Sequence, residues 1–247
     1  MTTLSTEDPV VEAAVRAVHG GDVDARRQLL SQHSGLATAR LGDDDPHGMS
    51  RTLLHVVTDW PGHFPRGAAS VAALVQAGAD VNARFRGPHG ETPLHWAASS
   101  DDVEVLDALL DAGADIDVPG AVIAGGTPLA DATAFAQWNV ARRLVERGAR
   151  VNLFAAASLG LMDQLAALTS GVTAADADQI SDAFWAACHG GQLRAAEYLL
   201  DRGAALNWLP GWEQLTPLDA AARSAATGVI TWLHRQGANT ASELRGD

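Results

Sequence analysis

Three side chains with acid–base character stand out because aromatic residues surround them in the sequence. Asp59 and His63 belong to the stretch 59–66, which also holds Trp60 and Phe64, and Asp131 lies shortly before Phe135 and Trp138. A partly buried carboxylate beside a Trp ring has a raised pKa, which suits proton transfer. If the chain is an enzyme, His63 or Asp131 is therefore the candidate base, and Asp59 is a further candidate catalytic residue.

Tryptophan is the most unusual residue type in the chain, with seven Trp against one Tyr. Aromatic walls combined with carboxylates and an imidazole suit a small, cationic organic ligand. Aromatic side chains at loop tips suit a partner protein instead. The candidate ligand- or partner-binding residues are Trp60, Phe85, Trp96, Asp131, Phe135, Trp138, Trp185, His189, Trp208 and Trp212.

Composition excludes several other chemistries. The chain contains no lysine, so no P-loop, Schiff-base or kinase-type lysine is available. The nine histidines form no H-E-x-x-H motif and no C-x-x-C motif occurs, so we predict neither a metal nor a cofactor. A net charge of −13 argues against a nucleic-acid partner, and no apolar run is long enough for a membrane span.

Cysteine usage and the N-terminus bear on the compartment. Cys188 is the single cysteine, and it occupies the place of a small core residue. The first residues lack the basic and hydrophobic regions of a signal peptide. Both features predict a cytoplasmic protein.

The elements that must position these residues repeat along the chain. Thr-Pro-Leu openers begin at Thr92, Thr127 and Thr216, and a degenerate opener begins at Thr52. Each opener leads into an apolar helix and then a Gly-Ala pair. The interval from the opener Thr to this Gly is identical in Thr92–Gly113, Thr127–Gly148 and Thr216–Gly237. A fixed period indicates a stacked array whose units bury their apolar faces against each other.

The Thr-Pro-Leu-His opener and the Gly-Ala-Asp-Val-Asn ending at Gly78 resemble those of ankyrin-repeat proteins. The resemblance implies an all-α solenoid of about seven helix-turn-helix units with short β-hairpin fingers, here of a bacterial type with an insertion between two helices. It also implies that His55 and His95 tie neighbouring repeats together. We predict one domain, 1–247, with units near 10–33, 50–80, 91–115, 127–150, 151–172, 179–204 and 216–238.

The segments outside these units are expected to be irregular. We predict frayed tails at 1–8 and 240–247, and a polar connection at 34–50.

Departures from the repeat carry the functional hypotheses. The interval from Thr52 to Gly78 is longer than the regular one, because the second unit holds a five-residue insertion within 59–66. This insertion either plugs the edge of the core or forms one wall of a pocket. Side chains four, seven and eight residues beyond each opener face the groove of such arrays, so a cavity between units two and four could gather Asp59, Trp60, His63, Trp96, Asp131 and Phe135.

A second, smaller patch is predicted around His189. Its expected members are Trp185, Trp208, Trp212 and Arg223. The fingers that carry Phe85, Trp208 and Trp212 are one or two residues longer than the usual unit requires.

Two classes of function follow from these patterns. The resemblance favours a monomeric binding module whose concave groove and fingers hold a partner protein, and the acidic charge would steer a positively charged one. The alternative is a small-molecule binding protein, or a cofactor-independent acid–base enzyme, with an aromatic pocket in the groove of units two to four.

Overall fold

The computed structural model describes residues 2–42, 48–170 and 175–246, and these are mostly helical. They form two compact units, Met1–Ala149 and Arg150–Asp247. The predicted all-α repeat architecture is confirmed, whereas the single domain 1–247 stays a prediction. None of the helices in the described ranges is long and apolar enough to cross a membrane.

The first compact unit is a stack of four helix pairs. Its helices are α1 (Pro9–His19), α2 (Val23–Gln32), α3 (Leu53–Val57), α4 (Gly67–Gln76), α5 (Pro93–Ser99), α6 (Val103–Asp111), α7 (Pro128–Ala134) and α8 (Trp138–Glu146). The inner helices α1, α3, α5 and α7 contact one another in that order, and so do the outer helices α2, α4, α6 and α8. A Thr N-cap starts the inner helices α3, α5 and α7, and in α5 and α7 the next residue is Pro, which loses no backbone hydrogen bond at this position.

A small sheet lies in the first unit, where the sequence predicted a frayed tail and a polar connection. Its strands are β1 (Thr3–Leu4), β2 (Arg40–Gly42) and β3 (Ser50–Arg51), and a short 3-10 helix spans Leu36–Thr38. Strand β1 runs parallel to β2, and β3 runs antiparallel to it. The prediction of a frayed 1–8 was wrong, since β1 pairs with β2. Residues 43–47 of the predicted connection lie outside the described residues.

The second compact unit contains α9 (Leu153–Leu159), α10 (Met162–Leu168), α11 (Ala177–His189), α12 (Leu193–Leu200), α13 (Pro217–Arg223), α14 (Thr227–Gln236) and α15 (Ala241–Arg245). Its inner helices α9, α11 and α13 pack in sequence around a core that includes Phe184. The predicted fraying of 240–247 was wrong for 241–245. Thr240 and Glu243 form a capping box that starts α15, and Ala241 is buried.

The turn between the helices of a pair explains where the insertion occurs. Nine residues after the opener, Asp101, Ala136 and Ala225 have φ values of 55°, 59° and 53°. In the second repeat this position is Pro61, whose ring holds φ near −65°. Pro61 cannot form the same left-handed turn, so the connection takes a longer path through residues 59–66.

A buried arginine occupies a core position that the sequence reasoning missed. Arg26 lies four residues after the cap of α2, where α6 has the fully buried Leu106. The equivalent residue of α4 is Ser70, and its Oγ accepts a hydrogen bond from Arg26 Nη1 at 2.8 Å. Arg26 is 3 % exposed, and its Nε and Nη2 have no partner among the described residues. Burial lowers the pKa of Arg26.

Arg26→Met should raise the free energy of unfolding by about 1–3 kcal/mol, because it removes buried donors that have no partner and keeps most of the side-chain volume. Ser70 would keep its hydrogen bond to the Arg66 carbonyl oxygen. Urea denaturation of the full chain measures the change. The matched control is Arg27→Met, at an exposed neighbour, where we expect a change within about 0.5 kcal/mol. A stability loss in the Arg26 variant larger than in this control would contradict the explanation.

Candidate functional site

His55 and His95 connect neighbouring repeats, as the resemblance implied. Each backbone amide of Thr52 and Thr92 donates to the Nδ1 of the His three residues later. Nδ1 therefore accepts, and Nε2 carries the proton. His55 Nε2 lies 3.2 Å from the Glu91 carbonyl oxygen, and His95 Nε2 lies 3.4 Å from the Gly126 carbonyl oxygen.

Burial keeps both imidazoles neutral. It lowers the pKa of His55 to about 3 and the pKa of His95 to about 4. Neither side chain is exposed. These histidines are therefore structural donors at neutral pH, and neither is suited to act as a general base.

Trp185 takes the place of this histidine in the second compact unit. Counting back the regular Thr-to-Gly interval from Gly203 places the opener at Asp182, and Trp185 follows three residues later. The Trp185 Nε1–H donates to the Leu215 carbonyl oxygen at 2.8 Å, and Leu215 directly precedes the opener Thr216. This is the same acceptor position that His55 and His95 use. Trp185 is 3 % exposed, so this structural role accounts for it without a ligand.

An aromatic cluster lies between the second and third repeats. The Trp96 ring is 4.9 Å from the His55 ring and 5.5 Å from the Phe85 ring. Trp96 and Phe85 are half-buried. Glu91 lies beside them; burial raises its pKa, and a hydrogen bond from the Trp96 side chain partly opposes that shift. Sequence reasoning missed Glu91, although its place directly before Thr92 marks it as a residue at the repeat boundary.

Asp131, on α7, is completely buried. Burial first, and then the nearby charge of Glu91, raise the pKa of Asp131 to about 7, while the Ile123 amide lowers it. Neither carboxylate oxygen has a hydrogen-bond partner of ordinary geometry among the described residues. Asp131 is therefore partly protonated at neutral pH, as expected for a carboxyl group that lies near another acid and has no cation beside it.

The insertion is fixed to its own repeat and to the next one. Asp59 forms an ion pair with Arg51. His63 Nε2 lies 2.9 Å from the Ser100 carbonyl oxygen, and the His63 amide donates to Asp102 at 2.8 Å.

One part of the insertion plugs the edge of the core, which is the first of the two predicted alternatives, whereas the pocket wall stays a prediction. Phe64 stacks on His19 at 4.1 Å, so this half of the loop covers the edge of the core. Trp60 is 83 % exposed and covers nothing.

The structure does not gather the predicted catalytic residues around one cavity. Asp59 contacts Arg51, and Asp131 is fully buried. His63 is exposed, and its ring contacts the Ser100 carbonyl oxygen. No hydrogen bond or ion pair joins any two of these three residues within the described ranges. The reason is that the insertion extends from the C-terminal end of α3, whereas Asp131 lies beneath the finger that precedes α7.

Phe135 and Trp138 flank the turn that leads into α8. Phe135 is 44 % exposed, and Trp138 is half-buried at the first position of the helix. Phe135 and Asp131 therefore lie in different environments, although both were assigned to the same groove face.

Three of the four residues predicted around His189, namely Trp185, Trp212 and Arg223, lie close together in the second compact unit. The rings of Phe154, Trp185 and Trp212 lie 6.3–6.4 Å from one another. The His189 ring lies 5.2 Å from the Trp185 ring, and the Arg223 guanidinium lies 5.4 Å from the same Trp185 ring. Phe154 is the member that the sequence did not indicate.

Exposure differs within this patch. Trp212 is 58 % exposed, whereas His189 is buried and its Nδ1 lies 2.9 Å from the Ser224 hydroxyl. Trp208 turns aside and donates from Nε1 to Asp182 at 2.7 Å. Trp212 is therefore the member that a partner could reach most easily.

Other kinds of site have less structural support. No group of three or more metal-binding side chains occurs in the described part of the chain. A cavity of about 290 Å³ lies near the N-terminus, lined by Val11, Val15, Leu41, Arg16 and Arg51 among others. It contains none of the candidate site residues.

Comparison with known families agrees with this fold. A family model described as ankyrin repeats (3 copies) matches residues 14–120 and 67–155, which together cover more than half of the chain. The chain therefore belongs to the ankyrin-repeat family. Ankyrin repeats are generally protein–protein interaction modules. No curated protein matches the chain.

Asp131→Ala should change how stability depends on pH. The folded-state pKa of about 7 exceeds the unfolded value of 3.8. The stability that Asp131 contributes is therefore fully present below pH 3.8 and is lost as pH rises through about 7. Relative to wild type, the variant should gain roughly 4 kcal/mol between pH 4 and pH 8. Denaturant melts at several pH values measure this difference.

The control for this series is Asp24→Ala, because the Asp24 side chain is 95 % exposed. The gain of Asp131→Ala between pH 4 and pH 8 should be much larger than any change in this control. An equally small change in both variants would show that the Asp131 carboxyl group is not desolvated.

Trp185→Phe should destabilise the chain by about 1–3 kcal/mol, because it removes the donor to the Leu215 carbonyl oxygen while keeping an aromatic ring. Trp185→His, which restores a ring N–H at this position, should recover part of the loss. Thermal unfolding followed by circular dichroism tests both, with Trp212→Phe as the exposed control. Equal stability of Trp185→Phe and the control would refute the inter-repeat role of the indole.

Proposed function

We propose that this chain binds a partner protein through its fingers and the adjoining groove. The observation that carries the proposal is the exposure of large apolar side chains on two fingers. Val122 and Ile123 are 42 % and 38 % exposed on the finger before α7, and Leu209 and Trp212 are 39 % and 58 % exposed on the finger before α13. Large apolar side chains exposed on connecting segments between helices are typical of protein recognition surfaces.

Charge favours a basic partner. The net charge is −13, and the segment Asp101–Asp117 contains seven acids and no base. Some of these acids are neutralised, because Asp107 pairs with Arg143 and Arg147. The remaining excess would speed the encounter with a positively charged protein and weaken binding as salt is added.

The alternative of a small-molecule site or an acid–base enzyme has weaker support. Asp131 does have the raised pKa that a general base requires. However, it is completely buried, and neither His63 nor Asp59 contacts it. A proton acceptor needs access to its substrate, so this arrangement favours binding over catalysis.

The test compares finger variants as baits. Wild type, Ile123→Asp and Trp212→Ala would be used to retain proteins from the native host, and each retained protein would be purified and titrated by calorimetry. We expect one finger variant or both to weaken binding by about tenfold or more. Leu244→Ala, at a residue 44 % exposed on α15, is the matched control and should bind normally.

Two results would contradict the proposal. One is that no protein binds the purified wild-type chain in calorimetry. The other is that both finger variants bind every retained protein as tightly as the control does. Tryptophan fluorescence in a metabolite screen would separately test the small-molecule alternative, with Asp131→Ala and Trp96→Ala as comparisons.

A further inference from the structure

A second surface lies at the opposite end of the inner helices of the first compact unit. We call it the turn ridge and define it by residues 59–63, 99–102 and 135–139. The fingers lead into the N-terminal ends of α5 and α7, whereas the turn ridge follows the C-terminal ends of α3, α5 and α7. An inner helix of seven residues separates the two surfaces by about 10 Å.

Trp60 is the most exposed large apolar side chain of the ridge, at 83 %. An aromatic side chain can bury roughly 150–250 Å², which makes it a major source of packing energy. The insertion already buries Phe64 against His19, so the loop has a way to cover an aromatic ring. The same loop leaves the Trp60 ring exposed to solvent, which indicates that this ring is available to a partner.

The backbone around Trp60 is held in place. The Asp59 carboxylate accepts from the Trp60 amide at 3.1 Å and pairs with Arg51. Three residues later, His63 is attached to Ser100 and Asp102. A side chain on a fixed backbone loses less conformational entropy when it binds.

The three turns of the ridge are joined to one another. The carboxylate of Asp101 accepts from the Val140 amide at 2.8 Å and from the Asn139 side chain at 2.7 Å. The second and third turns are thereby linked, as His63 links the first and second. The ridge is therefore one continuous surface across three repeats.

Two exposed aromatic residues occupy the same repeat position on this surface. Trp60 and Phe135 each lie eight residues after their openers, Thr52 and Thr127. The equivalent residue of the repeat between them is Ser100. Neighbouring helices pack roughly 8–10 Å apart, so the two rings are separated by roughly 20 Å. Ser100 is half-buried, and Gly62 of the insertion packs against its side chain.

We propose that the turn ridge binds a basic, arginine-containing segment of a partner protein. Trp60 would stack on an arginine guanidinium, and Phe135 would hold an apolar side chain further along the segment. Asp101 lies in the turn between the two rings and is half-buried, and each of its oxygens accepts one hydrogen bond, which leaves lone pairs for a second arginine. The ridge segments contain three acids, Asp59, Asp101 and Asp102, and neither Arg nor Lys, so the charge of the ridge is complementary to such a partner.

This inference goes beyond the proposed function, because the surface differs from the fingers. Binding by the turn ridge and binding by the fingers can be tested separately, and either can be absent while the other is observed.

The test uses fluorescein-labelled peptides of about twelve residues that carry two arginines at different spacings, with fluorescence anisotropy as the measurement. Each peptide is paired with a copy in which citrulline replaces arginine, which keeps the shape and removes the charge. We expect at least one arginine peptide to bind and its citrulline copy to bind at least about tenfold more weakly. Added salt should weaken the complex with the arginine peptide.

Variants locate the binding on the chain. Trp60→Ala should weaken binding by about tenfold and Phe135→Ala by about threefold or more, whereas Trp60→Phe should retain part of the affinity. Trp212→Ala, which removes another exposed tryptophan, should leave the affinity unchanged within about twofold. Ile123→Asp should also leave it unchanged, which separates the ridge from the fingers. Circular dichroism checks that each variant keeps its helical content.

Several outcomes would overturn the proposal. They are the absence of binding to any arginine peptide, equal binding of the citrulline copies, and unchanged affinity in Trp60→Ala. Sedimentation of the chain alone adds a further outcome: self-association that Trp60→Ala abolishes would assign the ridge to a second copy of this chain instead.

Discussion

The structure depends on one hydrogen bond that recurs between repeats. A ring N–H three residues into an inner helix donates to the carbonyl that precedes the next opener. His55 and His95 supply it in the first compact unit, and Trp185 supplies it in the second. The donor is buried in each case, so solvent does not compete for it. At these three junctions the bond sets the distance between successive repeats, and with it the place of the finger that supplies the acceptor.

The local structure could be read from the sequence because caps and turns depend on a few neighbouring residues. Thr92 and Pro93 mark a helix start by their own chemistry, and the constant interval between opener and Gly marks the stack. Trp185 shows the limit of this reading. Its position could be counted back from Gly203, but only the structure shows that its indole reaches the Leu215 carbonyl oxygen, since that contact depends on the path of a finger 30 residues later.

The candidate site was less predictable because burial depends on elements distant in sequence. Asp131 was assigned correctly to an inner helix, but its complete burial, close to Ile123 of the preceding finger, was not predicted. The insertion was recognised from its length, and Pro61 explains why a regular turn cannot form there. Neither observation indicates the direction of a side chain. Trp60 and Phe64 lie four residues apart in one loop, and only one of them packs against the core.

The residues that break the hydrophobic pattern therefore divide into two kinds. Arg26 and Asp131 are polar groups placed inside, where each lowers stability at neutral pH because its charged form is poorly solvated. Trp60, Phe135 and Trp212 are apolar groups on the surface. Because they are exposed, they do not give the chain the stability that their burial would provide. The exposed residues are carried by turns or fingers that neighbouring helices hold rigid. A fold that needed only stability would not combine both kinds of exception, so the exposed aromatic residues are best explained by binding, in which a partner supplies the burial that the isolated chain lacks.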